Sequence, residues 1–343
     1  MKNIVFLLMS LMLYGCSGSD KQKTVTEFMV SGDLTAEVVS VPVPYLVPRY
    51  MGISGDYLFV YKEREEKLFS LFSLPDLEHL ATVGQRGKGP HDFNLLDTRS
   101  FQITPDGFHV IDANLNARKE VEIDRESLKV KSSKQIFGQG LASNGFYPMG
   151  KGRYVTFTQP DSDKEYVLYD ESTGDFSLVD IEYPHWQDIP KEIPAFMTYA
   201  RTCVPHPDGK RFAAFYSRFK RWRLFDASLN LISEVDVRIA PYEADAALEV
   251  AEQPIYYIGQ PYATDEYIYV LCSNKNTSKD GRSELQVWDW EGNAVACYTF
   301  DRRLSLMAIC EKYGRIYAID NQVEDQMFVY DLPKNDKQMR MNL

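Results

Sequence analysis

The segment GDYLFVY (residues 55–61) places a Gly-Asp turn directly before a strand of aromatic and branched apolar residues. This pattern, a Gly or Asp turn followed by a dense apolar strand, occurs six times along the chain. The other copies are DGFHVID (106–112), GRYVTF (152–157), DGKRFAAFY (208–216), DEYIYVL (265–271) and GRIYAID (314–320). Aromatic and β-branched residues favour half-buried strands, and Gly and Asp favour the turns between them. The sequence therefore predicts six similar β-units.

Each unit continues with further strands, such as LISEVDV (231–237), and the copies lie roughly 50 residues apart, the size of a four-stranded propeller blade. A strand before each turn completes the blade. These innermost strands are RYMGI (49–53), RSFQI (99–103), GFYPM (145–149), RTCV (201–204), YYIG (256–259) and RLSLMAI (303–309). We predict an all-β, six-bladed propeller with antiparallel blades over residues 34–343. Its last blade lacks an outer strand, which we expect TAEVVSVPV (35–43) to supply.

The amino terminus has the features of a secreted lipoprotein. Lys2 precedes an apolar stretch over residues 4–13, and LYGC (13–16) resembles a bacterial lipobox. This predicts that the leader, residues 1–15, is removed, that Cys16 carries the lipid, and that residues 16–33 form a flexible tether. An uncleaved anchor or an ordinary signal peptide is the alternative. The expected location is the outer membrane, with the protein facing the periplasm or the cell surface.

Composition limits the possible partners. The formal net charge of −11 argues against nucleic-acid binding, which requires a basic surface. The remaining cysteines, Cys203, Cys272, Cys297 and Cys310, form no CxxC motif and lie near no histidine pair. Buried free thiols are therefore expected, and one disulfide is the alternative.

The segment GQRGKGPHDF (84–93) is rich in glycine but lacks the spacing of a phosphate-binding loop, because Lys88 is followed by Gly89 rather than by Ser or Thr. We expect it to connect two blades, with Phe93 filling the core between them. The alternative is an anion-binding loop that uses Arg86, Lys88 and backbone N–H groups.

Together with the blade pattern, this glycine-rich segment resembles the signature of the TolB-like, or NHL-like, six-bladed propeller lipoproteins of Bacteroidetes. The resemblance covers roughly residues 30–335, although His91 and Asp92 stand where that family commonly has Gly and Glu. It implies a propeller fold and a location in the cell envelope. It implies no reaction.

Strand parity predicts which loops share a face. In an up-and-down blade, connections between blades lie on the same face as connections between the second and third strands. The long segments 84–96, 183–198, 240–253 and 273–282 therefore gather on one face, where binding is expected. On this face, Trp186 beside His185 could stack on a sugar, or Trp186 could anchor its own loop.

Four arginines open predicted inner strands and therefore converge on the mouth of the central channel. They are Arg49, Arg99, Arg201 and Arg303. Guanidinium groups bind carboxylates and phosphates in bidentate fashion, so an anionic ligand is one hypothesis. The alternative is that each arginine pairs with a neighbour, such as Asp97 or Asp301, and ties blades together. Asp97 and Asn144 are the candidate ligands for calcium, and no other cofactor is expected.

Hydrolase motifs such as G-x-S-x-G and H-E-x-x-H are absent from the sequence. The leading hypothesis is a lipid-anchored, non-enzymatic module of the cell envelope that binds a glycan, a peptide or an envelope protein through its loop-rich face. The alternative is a lactonase-like hydrolase or a lyase at the channel mouth, acting on an acidic sugar or lactone.

Overall fold

The computed structural model describes residues 21–42, 44–45, 47–136, 145–187, 193–242 and 252–333. Leader residues 1–15 and Cys16 lie outside these ranges. In the described part the chain forms six antiparallel blades arranged in a ring, so the prediction of an all-β six-bladed propeller is confirmed. No helix in the described ranges is long and apolar enough to cross a membrane.

Strands follow one another across each blade in chain order, from the central axis outward. Three short strands come first: β1 (Gln22–Val25), β2 (Val30–Leu34) and β3 (Glu37–Ser40). Blade 1 contains β4 (Pro48–Ser54), β5 (Tyr57–Lys62), β6 (Lys67–Ser73) and β7 (His79–Gln85). Blade 2 contains β8 (Gln102–Thr104), β9 (Gly107–Asp112), β10 (Ala117–Asp124) and β11 (Ser127–Gln135). Blade 3 contains β12 (Phe146–Pro148), β13 (Arg153–Phe157), β14 (Tyr166–Asp170) and β15 (Asp175–Leu178).

The second half of the ring repeats this order. Blade 4 contains β16 (Arg201–Pro205), β17 (Arg211–Tyr216), β18 (Arg221–Asp226) and β19 (Leu231–Val237). Blade 5 contains β20 (Ile255–Ala263), β21 (Tyr267–Lys275), β22 (Glu284–Asp289) and β23 (Ala294–Phe300). Blade 6 contains β24 (Leu306–Cys310), β25 (Arg315–Ile319) and β26 (Gln326–Asp331), and a short helix α1 (Ala195–Thr198) precedes blade 4.

The ring closes through the amino-terminal segment. Strand β3 pairs antiparallel with β26 and becomes the outer strand of blade 6, with Val38 opposite Phe328. The predicted clasp near residue 35 is therefore present. It joins the first part of the chain to the last blade and covers an edge that would otherwise expose unpaired backbone groups.

Residues 16–33 do not form the predicted flexible tether where the structure describes them. Strand β1 pairs parallel with β19 of blade 4, and β2 pairs parallel with β23 of blade 5, so both blades gain a fifth strand. Between them, Phe28 packs edge-on against Trp288, with ring centroids 4.9 Å apart. Free backbone groups on the outer strands explain this order, because an added strand satisfies them.

Aromatic side chains fill the spaces between blades. Between blades 1 and 2, Phe59 and Phe108 stack with centroids 4.6 Å apart, and both are fully buried. Between blades 4 and 5, Trp222 and Trp288 meet edge-on at 5.2 Å. Aromatic pairs of this kind add to the stabilisation from buried apolar area. The core is thus a ring of separate interblade clusters.

The four cysteines outside the amino-terminal segment are free. Cys203, Cys272 and Cys310 are buried, and Cys297 is partly exposed. Burial raises the pKa of Cys203 to about 12. Such a thiol stays protonated at neutral pH, and the thiolate is the reactive form. The expectation of buried free thiols is confirmed for three of the four.

We expect the folded protein to react at one of these cysteines at most, Cys297, because the other three are shielded from reagent. In denaturant all four should react. Titration with a chromogenic thiol reagent before and after unfolding, on the chain lacking Cys16, measures both numbers. Release of only two thiols from the non-reduced, unfolded chain would reveal a disulfide and contradict the structure.

Candidate functional site

Long connections gather on one end of the ring, which we call the loop-bearing face. It carries the links between successive blades and those between the second and third strands of each blade. Segments 84–96, 183–198 and 240–253 are interblade links, and residues 276–283 join β21 to β22. Residues 188–192 and 243–251 of these links lie outside the described ranges. The antiparallel order of the strands places the described parts of these segments on the same face, as parity predicts.

The glycine-rich segment connects β7 to blade 2 and is held by its own groups. Gly84 has a φ of +80°, and a Cβ there would lie 2.6 Å from the Phe69 ring. The Gly87 N–H donates to the Phe93 carbonyl (2.9 Å), and the Gly89 N–H donates to the Asp92 carboxylate (2.9 Å). These two N–H groups are already satisfied, so the geometry supports the structural reading of this segment.

The two cations of this segment differ in their surroundings. Arg86 donates from Nε to the Glu65 carbonyl (3.1 Å) and from Nη2 to the Glu63 carbonyl, which fastens the segment to blade 1. Lys88 is exposed. Below the segment, the buried Lys119 donates to the Pro90 carbonyl (3.3 Å). Burial lowers the pKa of Lys119, and the opposing effect of Asp112 and Asp92 is smaller, so the pKa stays below its usual value.

The four predicted channel-mouth arginines occupy different environments. Arg49 lies in β4 with its side chain half exposed, and its Nε contacts Glu63 at 2.5 Å. Arg201 is the first residue of β16. The prediction that inner strands start at Arg99 and Arg303 is wrong. Asp97 caps a 3₁₀ turn (Thr98–Ser100) by accepting from the Arg99 N–H (3.1 Å), so β8 starts only afterwards.

Arg303 lies in the link before β24. The Leu304 N–H donates to the Ser283 hydroxyl (3.1 Å), which binds this link to blade 5. Strand β24 therefore begins only at Leu306. Asp301 pairs with Arg302 at 2.9 Å rather than with Arg303. Within the described ranges, the buried Nε of Arg303 has no hydrogen-bond partner.

Arg201 is fully engaged inside the protein. Its Nε donates to the Tyr166 hydroxyl (2.9 Å), its Nη1 to the Tyr199 carbonyl (3.0 Å) and its Nη2 to the Glu165 carbonyl (3.0 Å). The guanidinium also lies 4.4 Å from the centroid of the Phe157 ring. Burial lowers the pKa of Arg201, but Tyr166 and Glu165 outweigh it and leave that pKa raised. This geometry favours the alternative that Arg201 ties blades together.

Glu165 is the centre of a buried ionic network between blades 3 and 4. Its carboxylate lies 3.5 Å from Arg201 Nε and 3.3 Å from Arg223 Nη1, and it accepts from the Tyr216 hydroxyl (2.8 Å). Arg223 also forms an ion pair with Glu234 through its Nε (3.0 Å), which extends the network. Burial raises the pKa of Glu165, and the two guanidinium groups oppose this rise. The network fixes the loop-bearing end of both blades.

The structure brings two of the predicted arginines together. The Arg99 guanidinium lies 5.4 Å from the Phe157 ring centroid, and Arg201 lies over the same ring. Gly145 makes room for Arg99, because a Cβ there would lie 2.6 Å from Arg99 Cδ. Phe157 ends β13 and is therefore at the loop-bearing end of blade 3. The two guanidinium groups thus share one aromatic ring at the loop-bearing end of blade 3.

Trp186 anchors its own loop. The indole N–H donates to the Glu234 carboxylate (2.6 Å), and the ring meets Tyr216 edge-on at 4.7 Å. Arg221 lies 5.2 Å from its centroid. The neighbouring His185 is exposed and lies 3.6 Å from Glu182. The indole therefore packs on blade 4, which supports the anchoring alternative over sugar stacking.

A second buried network joins blades 4 and 5, and sequence reasoning missed it. Lys220 is buried and donates to the carbonyls of Ile239 (3.1 Å) and Pro241 (3.3 Å). Its Nζ also lies 3.2 Å from Glu284, which accepts from the Gln286 amide (2.8 Å). Lys220 lies in the turn between β17 and β18, and the residues around it in the sequence show no pattern that would predict its burial. Together, the two networks hold the links around blade 4 in place.

The described residues contain no group of three His, Cys, Asp or Glu side chains arranged to hold a metal ion. Of the two candidates for calcium, Asn144 lies outside the described ranges. Asp97 accepts from the backbone N–H groups of Phe146 (2.6 Å) and Arg99. Burial raises the pKa of Asp97, which those N–H groups oppose. The Asp97 carboxylate is thus engaged in local structure.

Exposed apolar side chains mark one part of the loop-bearing face. Ile193, Phe196 and Met197 are 40%, 38% and 50% exposed, and they lie on or just before α1. Tyr242, in the next interblade link, is 42% exposed. We call Ile193, Phe196 and Met197 the apolar turn. The run of apolar letters after Pro194 was the available signal in the sequence, but the sequence alone does not distinguish exposed from buried residues.

Comparison with known proteins agrees with this architecture. A protein of the DUF4221 family from Bacteroides vulgatus has a similar structure, with a TM-score of 0.58 and 11% identity over 88% of this chain and 98% of that chain. A putative exported protein from Bacteroides fragilis matches with a TM-score of 0.52 and 11% identity, over 92% of this chain and 100% of that chain. At this identity, both show the fold alone.

No match is found among functionally curated proteins. Residues 27–312 match the family described as TolB-like 6-blade propeller-like, which is most of the chain. The resemblance that the blade pattern and the glycine-rich segment indicate is therefore confirmed. The chain belongs to the family of TolB-like six-bladed propeller-like proteins.

Proposed function

We propose that this protein is a non-enzymatic binding module of the cell envelope, anchored by a lipid on Cys16, whose loop-bearing face binds an envelope protein. The observation that carries the proposal is the apolar turn. Its three apolar side chains are exposed on the face where the long links gather. Exposed apolar groups clustered on a soluble domain are typical of protein interaction sites.

The scaffold around the apolar turn supports this role. Immediately after α1, the Tyr199 carbonyl accepts from Arg201, which the Glu165 network holds in place. Tyr199 itself is buried and stacks on Phe219 at 5.3 Å. A binding segment that is held before the partner arrives loses less conformational freedom on binding.

The anchor is inferred from the sequence LYGC at residues 13–16. A signal peptide followed by a lipidated cysteine would place the propeller outside the cytoplasm. The acidic-ligand alternative has less support, because Arg201 is engaged internally and Arg49 pairs with Glu63. Stabilisation of the folded chain by acidic sugars, lost on Arg99→Ala, would favour that alternative.

Site-specific photocrosslinking in the native host tests the proposal. A photoreactive residue at Met197 should give a discrete crosslinked protein, whereas one at Glu126 should not. Glu126 is exposed in the turn between β10 and β11, on the opposite face. The purified partner should bind the variant Phe196→Asp, Met197→Asp at least about tenfold more weakly, as expected when central apolar contacts are lost. Equal crosslinking at both positions, or unchanged affinity, would refute the proposal.

A further inference from the structure

The structure shows where the amino-terminal segment leaves the propeller. Strand β1 adds to the outer edge of blade 4, with Gln22 opposite Glu234 and Val25 opposite Val237. Outer strands run toward the loop-bearing face, and β1 is parallel to β19. The amino-terminal end of β1 therefore lies at the outer edge of blade 4 and is directed toward the face opposite the loop-bearing face. Lys21 lies in a groove with Leu231 and Asn230.

Sequence separation limits how far a lipid on Cys16 can lie from this point. Five peptide units join Cys16 to Lys21. A fully extended chain spans at most about 3.6 Å per residue, so the two Cα atoms lie within about 18 Å of each other. A tether this short cannot carry the propeller far from the bilayer. The rim of blade 4 must therefore stay near the lipid surface.

Exposed apolar residues surround this exit point. Leu178, at the end of the outer strand of blade 3, is 63% exposed and lines the same groove as Lys21. Ile232, which follows the groove residue Leu231, is 42% exposed. Met29, in the segment between β1 and β2, is 75% exposed and lines a second groove with Lys23. We call Leu178, Ile232 and Met29 the apolar rim.

Charge at this rim is compatible with a phospholipid surface. Lys21 and Lys23 lie beside the apolar rim, and lysines near a membrane are attracted to anionic headgroups. One acidic residue lines each groove: Asp180, which is paired with Lys164 at 2.8 Å, in the first, and Glu27 in the second, so each groove carries one acidic and one basic residue. The carbonyl of Glu291 accepts from Lys23 Nζ, which holds that lysine against blade 5.

We propose that the apolar rim contacts the bilayer surface. The outer edges of blades 3 to 5 then face the membrane, and the loop-bearing face is directed along the membrane plane, where a partner can reach it. This inference rests on the lipid anchor at Cys16 in the proposed function. It adds an orientation: a membrane-contacting surface distinct from the apolar turn. Peripheral contact of this kind combines shallow apolar insertion with attraction of basic residues to headgroups.

Lipid-borne quenchers test the orientation. The full lipidated chain, in vesicles of phosphatidylethanolamine and phosphatidylglycerol, would carry a fluorophore on one introduced cysteine. Leu178→Cys, Ile232→Cys and Met29→Cys report on the rim. Glu78→Cys is the matched control, because Glu78 is exposed in blade 1 across the ring from blade 4. Cys297→Ser, present in every variant, removes the partly exposed native thiol.

Lipids with a quencher near the headgroup should quench the three rim labels several-fold more than the Glu78 label. Similar quenching at all four positions would overturn the orientation. The orientation would also be overturned if quenching of the rim labels fell as the protein density on the vesicles rose, since a second copy of the protein would then cover the rim. Mass spectrometry of the same sample separates this failure from that of the anchor: an unmodified Cys16 refutes both proposals, whereas a lipidated Cys16 with uniform quenching refutes the orientation alone.

Discussion

Replacing Glu165 with Gln is expected to reduce the free energy of unfolding by about 3–5 kcal/mol, the usual cost of removing one partner from a buried ion pair. Glu165 and the Arg201 side chain are almost completely buried, and Arg201 has this carboxylate as its ion-pair partner among the described residues. Arginine stays protonated in proteins, so the variant leaves a buried positive charge without compensation. Arg223 is less affected because it keeps its contact with Glu234.

Urea unfolding of the wild-type and variant chains measures this loss. Glu182→Gln is the control, since Glu182 makes a solvent-exposed pair with Lys164 at 3.2 Å and exposed pairs contribute about 0–1 kcal/mol. Adding Arg201→Met to Glu165→Gln should recover part of the loss, because it removes the uncompensated charge. If Glu165→Gln and Glu182→Gln cost the same, the network does not hold blades 3 and 4 together.

The propeller could be predicted from the sequence because the pattern that indicates each blade lies within a short stretch of the chain. Each blade repeats a turn and an aromatic strand within a few residues, as in residues 55–61. Strands β1 and β2 could not be predicted in this way. QKTV and VSGDL are mostly polar and largely exposed, and they become strands because they pair with β19 and β23 more than 200 residues away. No local pattern carries that information.

The candidate site shows the same division. The sequence placed Arg49 and Arg201 correctly at the start of inner strands, but it misplaced Arg99 and Arg303, and it did not reveal the partners of Arg201. Glu165 precedes Arg201 by 36 residues, and the fold alone brings its carboxylate to that guanidinium. Trp186 is a similar case, since its partner Glu234 lies 48 residues away. The sequence shows which side chains carry a charge, and only the packing shows whether that charge is free to bind a ligand.

Phe93→Ala is the second variant for which we expect a large effect, again about 3–5 kcal/mol, as is typical when a buried Phe is truncated. Phe93 is 1% exposed and meets the Phe69 ring edge-on at 5.2 Å. Lys119 lies 5.8 Å from its centroid on another side. Truncation would leave a cavity between blades 1 and 2, where the glycine-rich segment is fastened.

Lys88→Ala in the same segment should change stability by less than about 0.5 kcal/mol, because Lys88 is an exposed surface residue. Urea unfolding of the two variants thus separates the two roles of GQRGKGPHDF. A structural connection requires Phe93 and tolerates loss of Lys88. If Phe93→Ala proved as mild as Lys88→Ala, the segment would not be part of the interblade core. The anion-binding alternative, with Arg86 and Lys88 as ligands, would then have to be tested directly by anion titration.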